Sequence, residues 1–221
     1  MPAVSAGILA VDAARLERAL ARIGGEFGTE RADICAARLV EMWTWLVAEP
    51  TAGAVLSGQP VPNTSPATTR LTLDGPSSAW VADFEGRLAT CEEGALVHLR
   101  GSLIAQLTPL IETLNGLSGR PRRALWRGAT DRIAGAFLWA GEQHGTPGRA
   151  RVLARRAVAS PPLRGRARTR LIVLPGGTTE RIQVRDGCCL YYRVPGGERC
   201  SACPLLDDEE RGERLAAELP A

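Results

Sequence analysis

Four of the chain's six cysteines fall in one short run, "DGCCLYYRVPGGERCSACP" at 186–204, as Cys188, Cys189, Cys200 and Cys203. No other feature restricts the fold as tightly, because thiols this crowded must either share a site or be held apart. Neighbouring side chains on an extended strand point to opposite faces, so Cys188 and Cys189 can share a site only where the backbone bends. Gly187, just before them, supplies a permissive backbone. The intervening "LYYRVPGGER" reads as strand, Pro-Gly-Gly turn and strand, a hairpin that returns Cys189 to the neighbourhood of Cys200. CxxC at 200–203 suits metal binding, since a tight turn aims both sulfurs at one ion.

Three chemistries use such a pattern. Structural zinc takes four thiolates tetrahedrally, usually from two separated CxxC-like pairs. A [2Fe–2S] cluster takes four thiolates, two per iron, and tolerates irregular loops. A disulfide is the third, and a vicinal one is strained. The N-terminal "MPAVSAGILAVDAARLERAL" lacks a basic region followed by a long apolar run, so no secretory signal is read. No apolar stretch reaches the length of about 18 residues that marks a spanning helix. These readings place the chain in the cytoplasm, where thiols stay reduced, and that disfavours disulfides. Spacing alone leaves the cluster and zinc level.

The rest of the chain reads as one globular unit, with 45% hydrophobic residues and a net charge of only +3. Every basic residue is arginine, and so weak a net charge does not mark a nucleic-acid binder. Leu16, Leu20, Ile23 and Phe27 define one amphipathic helix, with Gly24-Gly25 a weak point near its end; Ile34, Leu39, Met42, Trp43 and Leu46 define a second, expected to stop before Pro50. Residues 51–69 are rich in Pro, Gly, Ser and Thr and read as a long surface loop of the kind that binds ligands. "TRLTLDG" (69–75) reads as a short strand ending in an Asp-Gly turn. Leu96, Leu99, Leu103, Leu107 and Leu114 line a further helix, kinked at Pro109. Leu125, Trp126, Ala129, Ile133, Phe137 and Ala140 line the next, capped by Ser118 and opened by Pro121. Thr146-Pro147 opens another, ended by "SPP" at 160–162. "RLIVLPGGTTERIQV" (170–184) is a hairpin leading into the cysteines, and "DDEERGERLAAEL" a short acidic helix. The expectation is an α+β fold, predominantly helical, with a small antiparallel sheet feeding the C-terminal loop. Its parts are a helical segment and loop at 1–69, a helical core with the sheet at 70–185, and the cysteine segment at 186–205.

"CCLYYRVPGGERCSACPL" resembles the C-terminal segment of the FhuF-like ferric siderophore reductases, whose CC-x10-CxxC holds a [2Fe–2S] cluster, and the spacing matches with no insertion. "RPRRALWRGATDRIAGAF" (120–137) is similar to that family's helix with its Leu-Trp pair, although Arg127-Gly128 stand where members often carry Gly-Asn or Ser-Asn. The resemblance implies a single domain over 1–221, with Cys188, Cys189, Cys200 and Cys203 as cluster ligands. It also implies one-electron reduction of a bound Fe³⁺ siderophore, whose oxygen donors hold Fe²⁺ far more weakly. No residue beyond the cluster has to act as nucleophile or base. No flavin or nicotinamide signature such as GxGxxG is evident, so electrons are expected from another protein of ferredoxin type.

Other residues compete for roles. Cys35 and Cys91 read as small buried residues, and His98 and His144 lack partners at metal spacing. Trp126 is a weak candidate for flanking the substrate, the other tryptophans read as packing residues, and Tyr191 and Tyr192 read as covering the cysteine loop, which packing alone would explain equally well. No acidic residue occurs from Gln143 to Thr179, and eight arginines do. Arg149, Arg151, Arg155 and Arg156 are weak candidates for docking an acidic donor, against the plainer reading of a solvated face. Two alternatives remain at this point: a zinc-bearing module that binds nucleic acid or protein, and an iron–sulfur protein that only carries electrons.

Overall fold

A computed structural model describes residues 3–218 of the chain, and over them the fold is α+β and predominantly helical, as expected. β1 (Val4–Ser5) and the short α1 (Ala6–Leu9) lead into α2 (Ala13–Phe27), capped by the Asp12 carboxylate, which accepts from the Arg15 N–H, and ended at Gly28 in the left-handed region. α3 (Ala32–Ser57) is the central helix, packed against α2, α4 (Glu92–Ser118) and α5 (Arg122–Gln143). α6 (Pro147–Ala157) closes on α5, with proline in its first turn, where its missing N–H is harmless. The leucines expected to line α4 and the apolar face of α5 are buried, with Trp126 only partly so.

α3 departs from the sequence reading. It runs through Pro50 to Ser57, so the first part of the expected 51–69 loop is helix. Proline inside a helix costs about 3 kcal/mol. Here that local penalty is outweighed because Val47, Ala48, Thr51, Ala52, Val55 and Leu56 are all buried against neighbouring elements. A buried hydroxyl one residue on, at Thr51, donates back to the Val47 carbonyl at 3.1 Å. α4 likewise continues through Pro109 as a single helix.

The strands are few and antiparallel. β2 (Val61–Pro62) pairs with β5 (Arg87–Leu88). β3 (Thr69–Thr72) lies between β1 and β4 (Val81–Phe84), with Leu71 opposite both Val4 and Ala82. β4 and β5 were not foreseen from the sequence. The hairpin of β6 (Arg168–Val173) and β7 (Thr179–Val184) is present as expected, in register from Arg168↔Val184 to Val173↔Thr179. Ser118 ends α4 rather than capping α5: its hydroxyl donates to the Leu114 carbonyl and accepts from the Arg120 N–H. The acidic helix is α7 (Asp208–Glu218); Leu219, the last residue of the expected span, lies outside the described residues.

The segment between α3 and β3 is tied down by buried polar groups. Trp43 Nε1 donates to Gln106 Oε1 at 2.8 Å, and Gln106 Nε2 donates to the Thr64 carbonyl at 2.7 Å. The Thr64 N–H donates to His98 Nε2 at 3.0 Å, which gives His98 a structural role and leaves that nitrogen unprotonated. Replacing Gln106 by leucine strands two buried partners, each at about 1–3 kcal/mol. Gln106→Leu is therefore expected to lower the unfolding free energy by about 2–5 kcal/mol in urea titration. A loss under about 1 kcal/mol would show that the segment does not depend on this clasp.

Candidate metal centre

The cysteine segment reaches its place through β7, whose last residue is Val184. Arg185 follows, and its side chain turns inward to pair with Glu41 of α3. Glu41 is 2% exposed and takes a second guanidinium, Arg132 of α5, at 3.2 Å. Burial alone would raise the Glu41 carboxyl, but Arg185 and Arg132, with Arg38, hold it below the ordinary carboxylate range. A buried carboxylate thus joins α3, α5 and the entrance to the segment.

Asp131, also buried on α5, holds the next two residues by their backbone. Its carboxylate oxygens accept from the Asp186 N–H at 2.9 Å and the Gly187 N–H at 2.8 Å. A Cβ on residue 187 would lie 3.0 Å from that of Arg127 and 3.3 Å from an Asp131 carboxylate oxygen, so glycine there permits the close approach to α5. Arg120 donates to the Cys188 carbonyl at 2.7 Å. Beyond Cys189 the backbone enters the left-handed region at Leu190, then forms a 3-10 turn at Tyr191–Arg193. The hairpin expected over 190–199 is absent. Its return is made instead by this turn and by Gly197, whose N–H donates to the Val194 carbonyl at 2.9 Å. A Cβ on residue 197 would fall 2.1 Å from the Tyr191 carbonyl oxygen.

The far end is held by α7. Arg211, 1% exposed, donates to the carbonyls of Ser201, Cys203 and Leu206, and Glu218 accepts from the Ser201 N–H and hydroxyl. The Cys203 N–H donates to the Cys200 carbonyl at 2.8 Å, the tight turn that CxxC predicts. Both ends of the segment are therefore clamped: the first by buried Glu41 and Asp131 from α3 and α5, the second by buried Arg211 and exposed Glu218 from α7. Composition hides Arg211 among the acidic residues of its helix; Glu41 and Asp131 do leave a signal, as carboxylates interrupting apolar helix faces.

Between the clamps, all four thiols line one cavity of about 280 Å³, with Phe27 and Arg38 on its other side. Cys203 is buried, Cys188 and Cys189 half-buried, and Cys200 and Tyr191 exposed at the rim. Burial and then Glu41 push the Cys189 thiol up; desolvation and then the neighbouring Cys189 do the same for Cys200. Among the described residues no three His, Cys, Asp or Glu side chains form a ready single-ion site. As a donor set, four free thiols around one cavity, faced by the cations Arg38 and Arg185, fit a thiolate-held cluster.

The other sequence candidates lie elsewhere. Cys35 is buried, but Cys91 is exposed, and its sulfur accepts from the Gly94 N–H as the cap of α4, correcting the reading of a buried residue. Trp126 packs on the core and does not line the cysteine cavity. Arg149 pairs with Glu92, and Arg156 with Glu92 and Glu93, at separations of 2.5–2.9 Å. Arg151 and Arg155 form no ion pair among the described residues, and Arg155 is exposed. No described helix is long and apolar enough to cross a membrane.

Residues 185–205 match the family model of the FhuF 2Fe-2S C-terminal domain. This segment is FhuF-like. The match begins at Arg185, the residue clamped by Glu41, and ends just past Cys203, so it coincides with the clamped loop. Its cofactor is a [2Fe–2S] cluster. No curated protein and no solved structure matches the chain.

Asp131 is the clamp most open to test. Burial, set against two N–H donors and Arg185, raises its carboxyl from the ordinary 3.8 to about 6. The folded chain then binds the proton more tightly than the unfolded one, so this group's contribution to stability falls as pH rises from about 4 to about 6. Asparagine cannot titrate and presents one donor where two acceptors are needed. Asp131→Asn is expected to lower stability and speed hydrogen exchange at Asp186 and Gly187. Its deficit relative to wild type should be largest near pH 4 and level off above about pH 6. A deficit that grows with pH would contradict this assignment.

Proposed function

We propose that the chain is a ferric siderophore reductase in which Cys188, Cys189, Cys200 and Cys203 hold the [2Fe–2S] cluster. The observation that carries this reading is the convergence of all four thiols on one surface-reaching cavity inside the FhuF-like segment. Held by these four thiolates, a [2Fe–2S] cluster would supply one-electron chemistry, the electron passing from a donor protein to the Fe³⁺ of a chelate. The chain's residues provide the rest. Arg185 and Arg38 offset thiolate charge, while Arg120 and Arg211 fix the carbonyls of Cys188 and Cys203. Exposed Tyr191, stacked edge-on against Phe27 at 5.4 Å between centroids, walls the rim where a chelate would approach. No base or nucleophile is required, since the metal's weaker hold on oxygen donors after reduction releases it. Of the four arginines proposed for docking, Arg151 and Arg155 form no ion pair among the described residues and would receive an acidic ferredoxin-type donor; the setting proposed is the cytoplasm.

The ligand set has its own test. Anaerobically purified protein is expected to hold about two iron and two acid-labile sulfide per chain. Serine at position 188, 189, 200 or 203 should abolish or badly weaken the visible spectrum, and Cys35→Ala and Cys91→Ala should leave it intact. A stable native spectrum in any of the four serine variants removes that residue from the set, and stoichiometric zinc without sulfide removes the cluster.

The activity is tested by stopped-flow mixing of chemically reduced protein with several ferric siderophores. Reoxidation should saturate with chelate concentration, and Fe²⁺ should appear in a ferrous chelator. Rates that follow driving force alone, without saturation, would make the protein a simple electron carrier and defeat the reductase reading.

A further inference from the structure

Arg38 sits one turn before Glu41 on α3 and lines the same cavity as the four cysteines. Its guanidinium carbon lies 5.9 Å from the centre of the Phe27 ring, and its Nε is buried with no hydrogen-bond partner. It makes no ion pair among the described residues, unlike Arg185 and Arg132 beside it. Arg185 and Arg132 share the Glu41 carboxylate, and Arg120 is engaged by the Cys188 carbonyl. Glu198, the other carboxylate on the cavity wall, pairs with Arg214. One carboxylate therefore pairs with two guanidinium groups, and Arg38, like exposed Arg199 over the Tyr192 ring, has no ion-pair partner among the described residues.

Arg38 is half-buried, and its charge is balanced only through space rather than by an ion pair. The groups of opposite sign that act on it through space are Glu41, already shared by Arg185 and Arg132, and then Cys189, one of the thiols lining the same cavity. We propose that Arg38 is the counter-charge to the cysteine thiolates and thereby sets the reduction potential of the centre they hold. The proposal rests on the [2Fe–2S] reading of the segment. Reduction adds one negative charge to a site already rich in it, and a nearby half-buried cation favours the reduced state more than the oxidised one. Arg38 thus acts through the cluster's surroundings and needs no contact with a substrate.

The test is an anaerobic redox titration of holoprotein with mediator dyes and no siderophore present, on wild type, Arg38→Lys and Arg38→Met, with iron and sulfide measured on each. Arg38→Met is expected to shift the reduction equilibrium at least tenfold toward the oxidised form, a potential lower by about 59 mV for one electron. Arg38→Lys keeps the charge and should stay within about threefold of wild type. A methionine variant that loses its cluster while the lysine variant keeps it would also support a counter-charge role. A fully loaded methionine variant with an unchanged potential overturns the proposal, as does a lysine variant shifted as far as methionine. An unchanged potential with lost saturation by anionic ferric chelates would overturn it in favour of substrate binding. Absence of iron and sulfide from wild type itself would instead show that the cofactor reading had failed, and the proposal with it.

Discussion

A carboxylate withdrawn from water in the middle of a helix has to be answered, and Glu41 is answered by Arg132 from α5 and Arg185 from the edge of the cysteine segment. Breaking such a pair by removing one partner is strongly destabilising, about 3–5 kcal/mol, although an apolar replacement of the whole set can be neutral. Its value here is positional. By pairing with Arg185, Glu41 fixes the start of the cysteine segment against α3 and α5. Asp131 adds direction, because its two oxygens match two successive backbone N–H groups and no other register of the chain would meet them.

The clamps sit at the two ends of the segment and leave its centre irregular. Arg185, Asp131 and Arg120 grip the start, and Arg211 and Glu218 grip the CxxC turn. Between them the chain makes its return with a left-handed residue, a 3-10 turn and a glycine, with no strand pairing. That division suits a thiolate site: ends held by protein let the sulfurs adjust to the group they bind. It also concentrates positive charge beside the thiols, which for one-electron chemistry is a more useful arrangement than a general base.

Much of the helical fold could be read directly. Leucines at helical spacing in α4 and α5 are buried as their period requires, Thr146-Pro147 opens α6, and the β6–β7 hairpin follows from two alternating runs around Pro-Gly-Gly. The reading failed where local chemistry and tertiary burial disagree. Pro50 signals an end, yet α3 continues because the turn beyond it is buried against its neighbours. Pro-Gly-Gly at 195–197 signals a second hairpin, yet the loop turns through a 3-10 turn and the Gly197–Val194 hydrogen bond, and no ladder forms. The arginine-rich stretch reads as uniformly free charge, but Glu92 and Glu93, more than fifty residues away in the chain, neutralise Arg149 and Arg156.

The amino-acid sequence by itself determined the chemistry of the site: four thiols at CC-x10-CxxC, in a run whose spacing matches a FhuF 2Fe-2S C-terminal domain. Ligand type and spacing are local properties, legible without coordinates. Which charges surround those thiols was decided only in three dimensions. Glu41, Arg38, Asp131, Arg120 and Arg211 come from α3, α5, the turn between α4 and α5, and α7, and nothing in their spacing marks them as neighbours. Coulombic forces depend on separation through space and on the exclusion of water, and both are set by how the helices pack.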